Sequence, residues 1–187
     1  MRPIVEVADL ELVWVQPSML HQDFELRAGD EVVATLVFHR SSLAEAATSG
    51  DRWTLKREGF WHPHVTVRVA GAEENICIFR PGWSGGGALD FPDGRSFRFG
   101  TANFWHTQWD WQRADGMDLV HFHNKQGFLK SGAAVDVISP PLWRGSTAGG
   151  GEGELLSLLV VLGWYLLIMV GRDAAASSAG SVAMGSA

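Results

Sequence analysis

Residues 155–171 read LLSLLVVLGWYLLIMVG, an apolar run that is interrupted only by Ser157. A segment that is apolar on every side is either a fully buried helix or a membrane span, because protein core and lipid are both apolar. Its length lies at the bottom of the range of about 17–25 residues that crosses a bilayer. Trp164 and Tyr165 lie at its middle, whereas spanning helices favour these residues at the two interfaces. The run therefore predicts a core helix or, as the alternative, a membrane anchor.

The region before this run shows the period-two alternation of β-strands. Val65, Val67 and Val69 alternate with polar residues, and so do Phe97 and Phe99. Such alternation places one set of side chains in the core and the other in water. Turn sequences typical of hairpins separate the strands, at 28–30, 92–94 and 115–116. The pattern predicts ten to twelve strands before residue 140, and the one candidate helix there, at 41–48, is short and is interpreted as a loop excursion.

These two features together predict the fold. A barrel of ten to twelve strands has a wider interior than the eight-stranded barrel that side chains alone just fill. A helix about 10–12 Å across would fill that interior. We therefore predict a mainly β fold, a closed antiparallel β-barrel of about 10–12 strands with the hydrophobic C-terminal helix through its centre. Residues 1–171 would form one domain, with a glycine-rich linker at 145–153, and residues 172–187 a disordered Ala/Ser/Gly tail.

The layout resembles that of the tubby C-terminal, LURP-one and phospholipid-scramblase-like barrel superfamily. The similar stretches are FELRAGDEVVATLVF at 24–38, GALDFPDGRSFRF at 87–99 and the apolar run at 155–171. The resemblance implies a twelve-stranded barrel around a helix that was long mistaken for a membrane span in scramblase-like members. The tubby branch binds phosphoinositides through clustered lysine and arginine. This sequence has no such cluster, so no binding residue follows from the resemblance.

Composition restricts the classes of partner. The 187 residues carry a formal net charge of −6 and only three lysines, which argues against nucleic acid as a partner. The single cysteine, Cys77, excludes an intrachain disulfide and a cysteine-based zinc cluster, and it fits a reducing compartment. Residues 1–15 contain Glu6, Asp9 and Glu11 and are not typical of a signal peptide. The expected location is the cytoplasm, or a membrane if the segment from Leu155 to Gly171 is an anchor.

Two His-x-His pairs are the candidate metal ligands. They are His62 with His64 and His121 with His123. In a strand, residues two apart share a face, so each pair could offer two imidazoles to one metal ion. A third ligand is not evident from the sequence, and we expect solvated histidines and no metal site.

The remaining motifs do not predict catalysis. Residues 103–111, NFWHTQWDW, could line an aromatic groove for a sugar or apolar ligand, but packing in the core is the favoured interpretation. The glycine-rich stretch at 82–87 precedes a strand and lacks the features of a phosphate-binding loop. We predict a non-enzymatic binding or regulatory module without a cofactor, with a lipid or a membrane surface as candidate partner. The alternative is a small tail-anchored membrane protein with a β-rich cytoplasmic domain.

Overall fold

The computed structural model describes residues 1–18, 21–82, 86–101, 107–124, 132–138 and 151–182. These residues form a short helix, a meander of strands and one long helix. The helices are α1 (Ile4–Val7) and α2 (Gly151–Val182). The strands are β1 (Leu12–Val15), β2 (Asp23–Ala28), β3 (Glu31–Phe38), β4 (Leu43–Ala47), β5 (Arg52–Glu58), β6 (His64–Val69), β7 (Asn75–Pro81), β8 (Gly87–Asp90), β9 (Ser96–Thr101), β10 (Gln108–Arg113), β11 (Asp118–Asn124) and β12 (Ala133–Val137).

The twelve strands of the described chain close into one antiparallel barrel. Each strand pairs with the next in sequence, and β1 also pairs with β12, with Leu12 opposite Val135. The predicted turns are present, and Gly29, Gly94 and Gly116 in them adopt φ of 62°, 89° and 85°. Only glycine reaches such angles at no steric cost. The predicted closed barrel of ten to twelve strands is confirmed.

Helix α2 lies inside the barrel. Every residue from Leu156 to Leu162 is at most 6% exposed. Trp164 stacks on Trp14 of β1 at 5.9 Å between ring centroids, and Tyr165 stacks on Phe38 of β3 at 5.5 Å. Gly163 lies against side chains of β10 and β11. The helix therefore contacts β1 and β3 as well as β10 and β11. The predicted central helix is confirmed.

The barrel has two unlike ends. The connections from β2 to β3, β4 to β5, β6 to β7, β8 to β9 and β10 to β11 lie at the end where α2 begins, which we call the acidic end. Helix α1 covers this end, since Ile4 and Val7 are fully buried. The β5–β6 loop lies at the other end, which we call the aromatic end. There Arg172 of α2 donates a hydrogen bond to Gln22 Oε1 at 2.7 Å.

The interpretation of residues 41–48 as a short helix or a loop excursion is wrong, because residues 43–47 form strand β4. Ala44 and Ala46 are buried while Glu45 is exposed, as in a strand that alternates between core and water. The helix preference of alanine is a weak term of less than about 1 kcal/mol per residue. Pairing of β4 with β3 on one side and β5 on the other outweighs it.

Helix α2 extends beyond the predicted segment in both directions. Residues 151–153 of the predicted linker and residues 172–182 of the predicted tail are helical, which agrees with the high helix propensity of alanine in that tail. Residues 145–150 and 183–187 lie outside the described residues. The stretch Gly151–Ser178 is long and apolar enough to cross a membrane, and 67% of its most apolar part is buried inside the protein.

Candidate functional site

A polar cavity of about 420 Å³ opens on the outer wall of strands β9, β10 and β11. Alternate side chains of each strand face outward, so polar groups from neighbouring strands can meet on this wall. The polar side chains that line it are Arg98, Thr101, Asp110, Gln112, Asp118 and His121. We call Asp110, Asp118 and His121 the carboxylate–histidine cluster.

Strand pairing explains why two members of this cluster meet. Trp109 and Trp111 point into the barrel and are nearly fully buried, so Asp110 between them points outward. Asp110 lies directly opposite His121 in the register of β10 and β11. Such opposite residues in an antiparallel pair have Cβ atoms about 4.5–5.5 Å apart.

A β-bulge brings the third member to the same face. In a regular strand Asp118 and His121 are three residues apart and would point to opposite faces. The register shifts here, because Trp111 pairs with Val120 but Gln112 pairs with Asp118. Leu119 is thus an extra residue on β11, and the side chain of Asp118 turns to the outer face beside His121. Bulges are over-represented next to functional sites, where they redirect a side chain.

The donor atoms of the cluster are close together. One ligand atom from each of Asp110, Asp118 and His121 lies within 4.8 Å of the others. Gln112 Nε2 donates a hydrogen bond to Asp118 Oδ1 at 2.9 Å and a longer one to Asp110 Oδ2 at 3.3 Å. His121 Nε2 lies 3.5 Å from Asp118 Oδ2. This nitrogen is buried and has no hydrogen-bond partner in the described part of the protein.

Two carboxylates share this pocket, and Arg98 in its lining forms no ion pair with either of them within the described chain. Burial raises the pKa of Asp110, and the charge of Asp118 raises it further, while His121 and Gln112 oppose the change. Asp110 is only 7% exposed. Among the described residues, no lysine or arginine forms an ion pair with either carboxylate. The arrangement can accept a cation or a proton.

The structure separates the histidines that the sequence paired. His121 and His123 share the outer face as predicted, with ring centroids 6.1 Å apart. His123 has its own partners, because its Nε2 lies 2.9 Å from Asp136 Oδ2 and its Nδ1 lies 2.9 Å from Gln108 Nε2.

The second predicted pair does not join a cluster of ligands within the described chain. His62 is exposed, and His64 Nδ1 lies 3.2 Å from the His62 carbonyl oxygen. The expectation of no metal site depended on a missing third ligand. At His121 the structure supplies two carboxylates that sequence reasoning missed, Asp110 and Asp118. The alternation around Asp110 could have shown that its side chain points outward. No sequence pattern predicted the bulge that turns Asp118 to the same face.

A second unusual surface is the tip of the β5–β6 loop at the aromatic end. Phe60 and Trp61 are 89% and 85% exposed, and their rings contact each other edge to face at 5.3 Å. Gly59, with φ of 83°, begins the turn that presents them. A monomer rarely leaves two adjacent large aromatic side chains in water without a partner for them.

Charge is distributed unevenly between the two ends. The connections at the acidic end carry mostly carboxylates, which are Asp30, Glu31, Asp51, Glu73, Glu74, Asp90, Asp93, Asp115 and Asp118. The described loops and strand ends around the aromatic tip carry both signs of charge, with His39, Arg40, Lys56, Arg57, His62, His64 and Arg172 beside the carboxylates Asp23, Glu58 and Asp173. Among the described residues, the charges at the aromatic end thus nearly cancel, and the excess of negative charge lies at the acidic end.

The described part of the candidate aromatic groove has a structural role. Trp109 and Trp111 are buried, and Trp109 stacks on Phe99 at 5.3 Å, so packing in the core is confirmed for these two residues. Residues 103–106 of the candidate groove and 83–85 of the glycine-rich stretch lie outside the described residues. Burial raises the pKa of the Cys77 thiol to about 12, which makes it a poor nucleophile at neutral pH.

Comparison with known proteins adds no relative. No protein-family model, curated protein or solved structure matches the chain. Two surfaces of the molecule bear on its function, the aromatic tip and the carboxylate–histidine cluster.

Proposed function

We propose that this barrel is a non-enzymatic binding module that docks its aromatic end on an anionic membrane surface. The observation that carries the proposal is the exposure of Phe60 and Trp61 side by side at the tip of one loop. Burial of a large apolar side chain contributes about 1.5–3 kcal/mol. Tryptophan in particular favours the membrane interface, where an apolar ring and a polar N–H are both satisfied.

Charge around the tip supports a lipid surface as the partner. Arg40 is exposed and forms no ion pair within the described residues, so it is free to meet a lipid phosphate. Lys56 and Arg57 are paired with Glu58 and Asp173 at 2.7 Å. Each basic residue near an anionic membrane contributes about 1 kcal/mol. The acidic end would be repelled by the same surface, which orients the barrel with its aromatic tip toward the lipid.

The burial of α2 supports docking over anchoring. An anchor would require the helix to leave the barrel and expose the interior faces of the strands, including the fully buried Trp14 and Leu36. The observed layout is also the one that the resemblance to the tubby and scramblase-like superfamily implies. Because a lysine and arginine cluster is absent from the sequence, we propose recognition of negative surface charge and not of one particular phosphoinositide.

Vesicle co-sedimentation tests this proposal. The full chain is mixed with phosphatidylcholine vesicles and with vesicles that also contain phosphatidylserine. We expect binding to the anionic vesicles only. The affinity of the variant Phe60→Ala/Trp61→Ala for these vesicles should be at least about tenfold lower, since a loss of about 1.4 kcal/mol corresponds to tenfold. The matched control is Met117→Ala, an exposed apolar residue at the acidic end, which should bind like the parent chain.

Two outcomes would contradict the proposal. One is the absence of binding of the parent chain to anionic vesicles, and the other is equal binding of the double variant and the Met117→Ala control. Washing of bound vesicles with carbonate separates docking from anchoring. A docked barrel should be released into the supernatant, whereas retention in the pellet would favour the tail-anchored alternative.

A further inference from the structure

We propose that Asp110, Asp118 and His121 bind one divalent transition-metal cation on the outer wall of the barrel. This site lies on β10 and β11, apart from the aromatic tip, and does not depend on membrane docking. It also differs from the sequence expectation, which found no third ligand beside the histidine pair.

The donor set defines the class of metal. Two carboxylates and one imidazole combine hard oxygen donors with a borderline nitrogen, a set that suits Zn²⁺, Mn²⁺ or Fe²⁺. Zinc bonds to such donors are about 2.0–2.2 Å long. The donor atoms lie within 4.8 Å of one another, so small side-chain rotations bring all three into contact with one ion. The half-open cavity of about 420 Å³ leaves room for water or a further ligand.

A buried, unsatisfied nitrogen is the independent observation that points to a ligand. His121 Nε2 has no hydrogen-bond partner in the described part of the protein, although it is buried and lies 3.5 Å from Asp118 Oδ2. A buried polar atom without a partner costs about 1–3 kcal/mol. A cation between His121 and the carboxylates would use this nitrogen and neutralise the charge of Asp110, which is more than nine-tenths buried.

Gln112 acts as a positioning residue. Its Nε2 donates to Asp118 Oδ1 at 2.9 Å and leaves Oδ2, on the His121 side, open to a cation. The same group donates at 3.3 Å to Asp110. Outer partners of this kind orient metal ligands, and their loss typically reduces metal affinity about 10–100-fold.

Metal titration of the tag-free full chain tests the site. After dialysis against EDTA, the protein is titrated with ZnCl₂ and MnCl₂ by isothermal calorimetry, with MgCl₂ and CaCl₂ for comparison. We expect one zinc or manganese ion per chain. At a free metal concentration about a hundred times Kd, the melting temperature should rise by roughly 5–10 °C.

Variants on the same face make the test specific. Asp118→Asn and His121→Gln should weaken binding by more than tenfold, and Gln112→Ala by about 10–100-fold. The matched control is His123→Gln, which removes a neighbouring histidine that already has Asp136 as its partner. Its metal affinity should be unchanged.

A further variant separates loss of binding from loss of folding. Asp110→Asn removes a buried charge that faces Asp118, so in EDTA it should be at least as stable as the parent chain. The same variant should lose the metal-induced rise in melting temperature. Absence of stoichiometric binding by the parent chain would overturn the proposal and leave the cluster as a pair of carboxyls that share a proton. The proposal would also be overturned if Asp118→Asn, His121→Gln and His123→Gln bound the metal with equal affinity.

Discussion

Strands β10 and β11 have an inner face of apolar side chains and an outer face that carries charged and polar ones. On the inner face, Trp111 and Phe122 are at most 1% exposed and lie against Gly163 of α2, and the indole Nε1 of Trp111 has no hydrogen-bond partner among the described residues. On the outer face of the same strands, Asp110 is 7% exposed and accepts one long hydrogen bond from Gln112, and His121 Nε2 is buried without a hydrogen-bond partner in the described part of the chain. One pair of strands thus stabilises the core with alternate residues and holds the candidate metal site with the others.

The largest effect expected from this comparison comes from a charge on the inner side. Leu162 is fully buried in α2, and Leu162→Arg would place an unpaired ion in an apolar interior. Because a domain has only about 5–15 kcal/mol of stability, we expect loss of the folded state. Circular dichroism and thermal melting measure this. The control Ala174→Arg, on an exposed part of the same helix, should melt like the parent, and a cooperatively folded Leu162→Arg would contradict the central position of α2.

A smaller effect tests how closely the helix fits the wall. Helix propensity alone predicts that Gly163→Ala stabilises α2 by about 1 kcal/mol. A Cβ at this position would lie 2.3 Å from Phe122 Cζ and 2.8 Å from Trp111 Nε1. Over-packing of this kind costs about 1–3 kcal/mol, so we expect a net loss of stability.

Urea denaturation of two glycine variants measures the difference. Gly151→Ala is the control, because its added methyl would meet no atom within 4 Å, and it should be neutral or slightly stabilising. A stabilised Gly163→Ala would show that the helix and the wall do not pack as closely as their distances indicate.

The smallest effect is expected where α2 leaves the barrel. Residues 174–178 are exposed, so removal of 174–187 should leave the melting temperature nearly unchanged. Extension of the deletion to residue 172 also removes Arg172, whose guanidinium packs over the Phe38 ring at 4.2 Å. Loss of this contact should cost about 1 kcal/mol, which lowers the melting temperature of a domain of this size by about 2–4 °C. A large drop from the shorter deletion would mean that the tail packs against the barrel.

The sequence was sufficient for the fold because the interior of a barrel is encoded by alternation. Val65 and Val67, Phe97 and Phe99, and Trp109 and Trp111 were predicted as inward residues and are buried. The central helix followed from its uniform apolarity together with the number of strands. Strand β4 was missed because local alanine propensity favours a helix and only pairing with β3 and β5 reverses it.

The candidate sites were harder to predict because they depend on irregular geometry. Asp118 joins Asp110 and His121 only through the bulge at Leu119, and period-two reasoning places it on the wrong face. Phe60 and Trp61 are apolar residues in a turn, and the sequence does not show whether a turn folds inward or outward. The helix end was misplaced because small residues predict little burial, although they favour continuation of a helix.

The position of α2 in the chain has a consequence for the order of synthesis. A ribosome makes the twelve strands first and the element that fills their interior last. Closure of the wall also requires Leu12 to find Val135, and such distant pairings are slow to form. Until residues 155–171 emerge, the inner faces of the strands have nothing to pack against, and exposed apolar strands are prone to aggregate. The nascent barrel should therefore depend on chaperones longer than a domain whose core is built from its first segments.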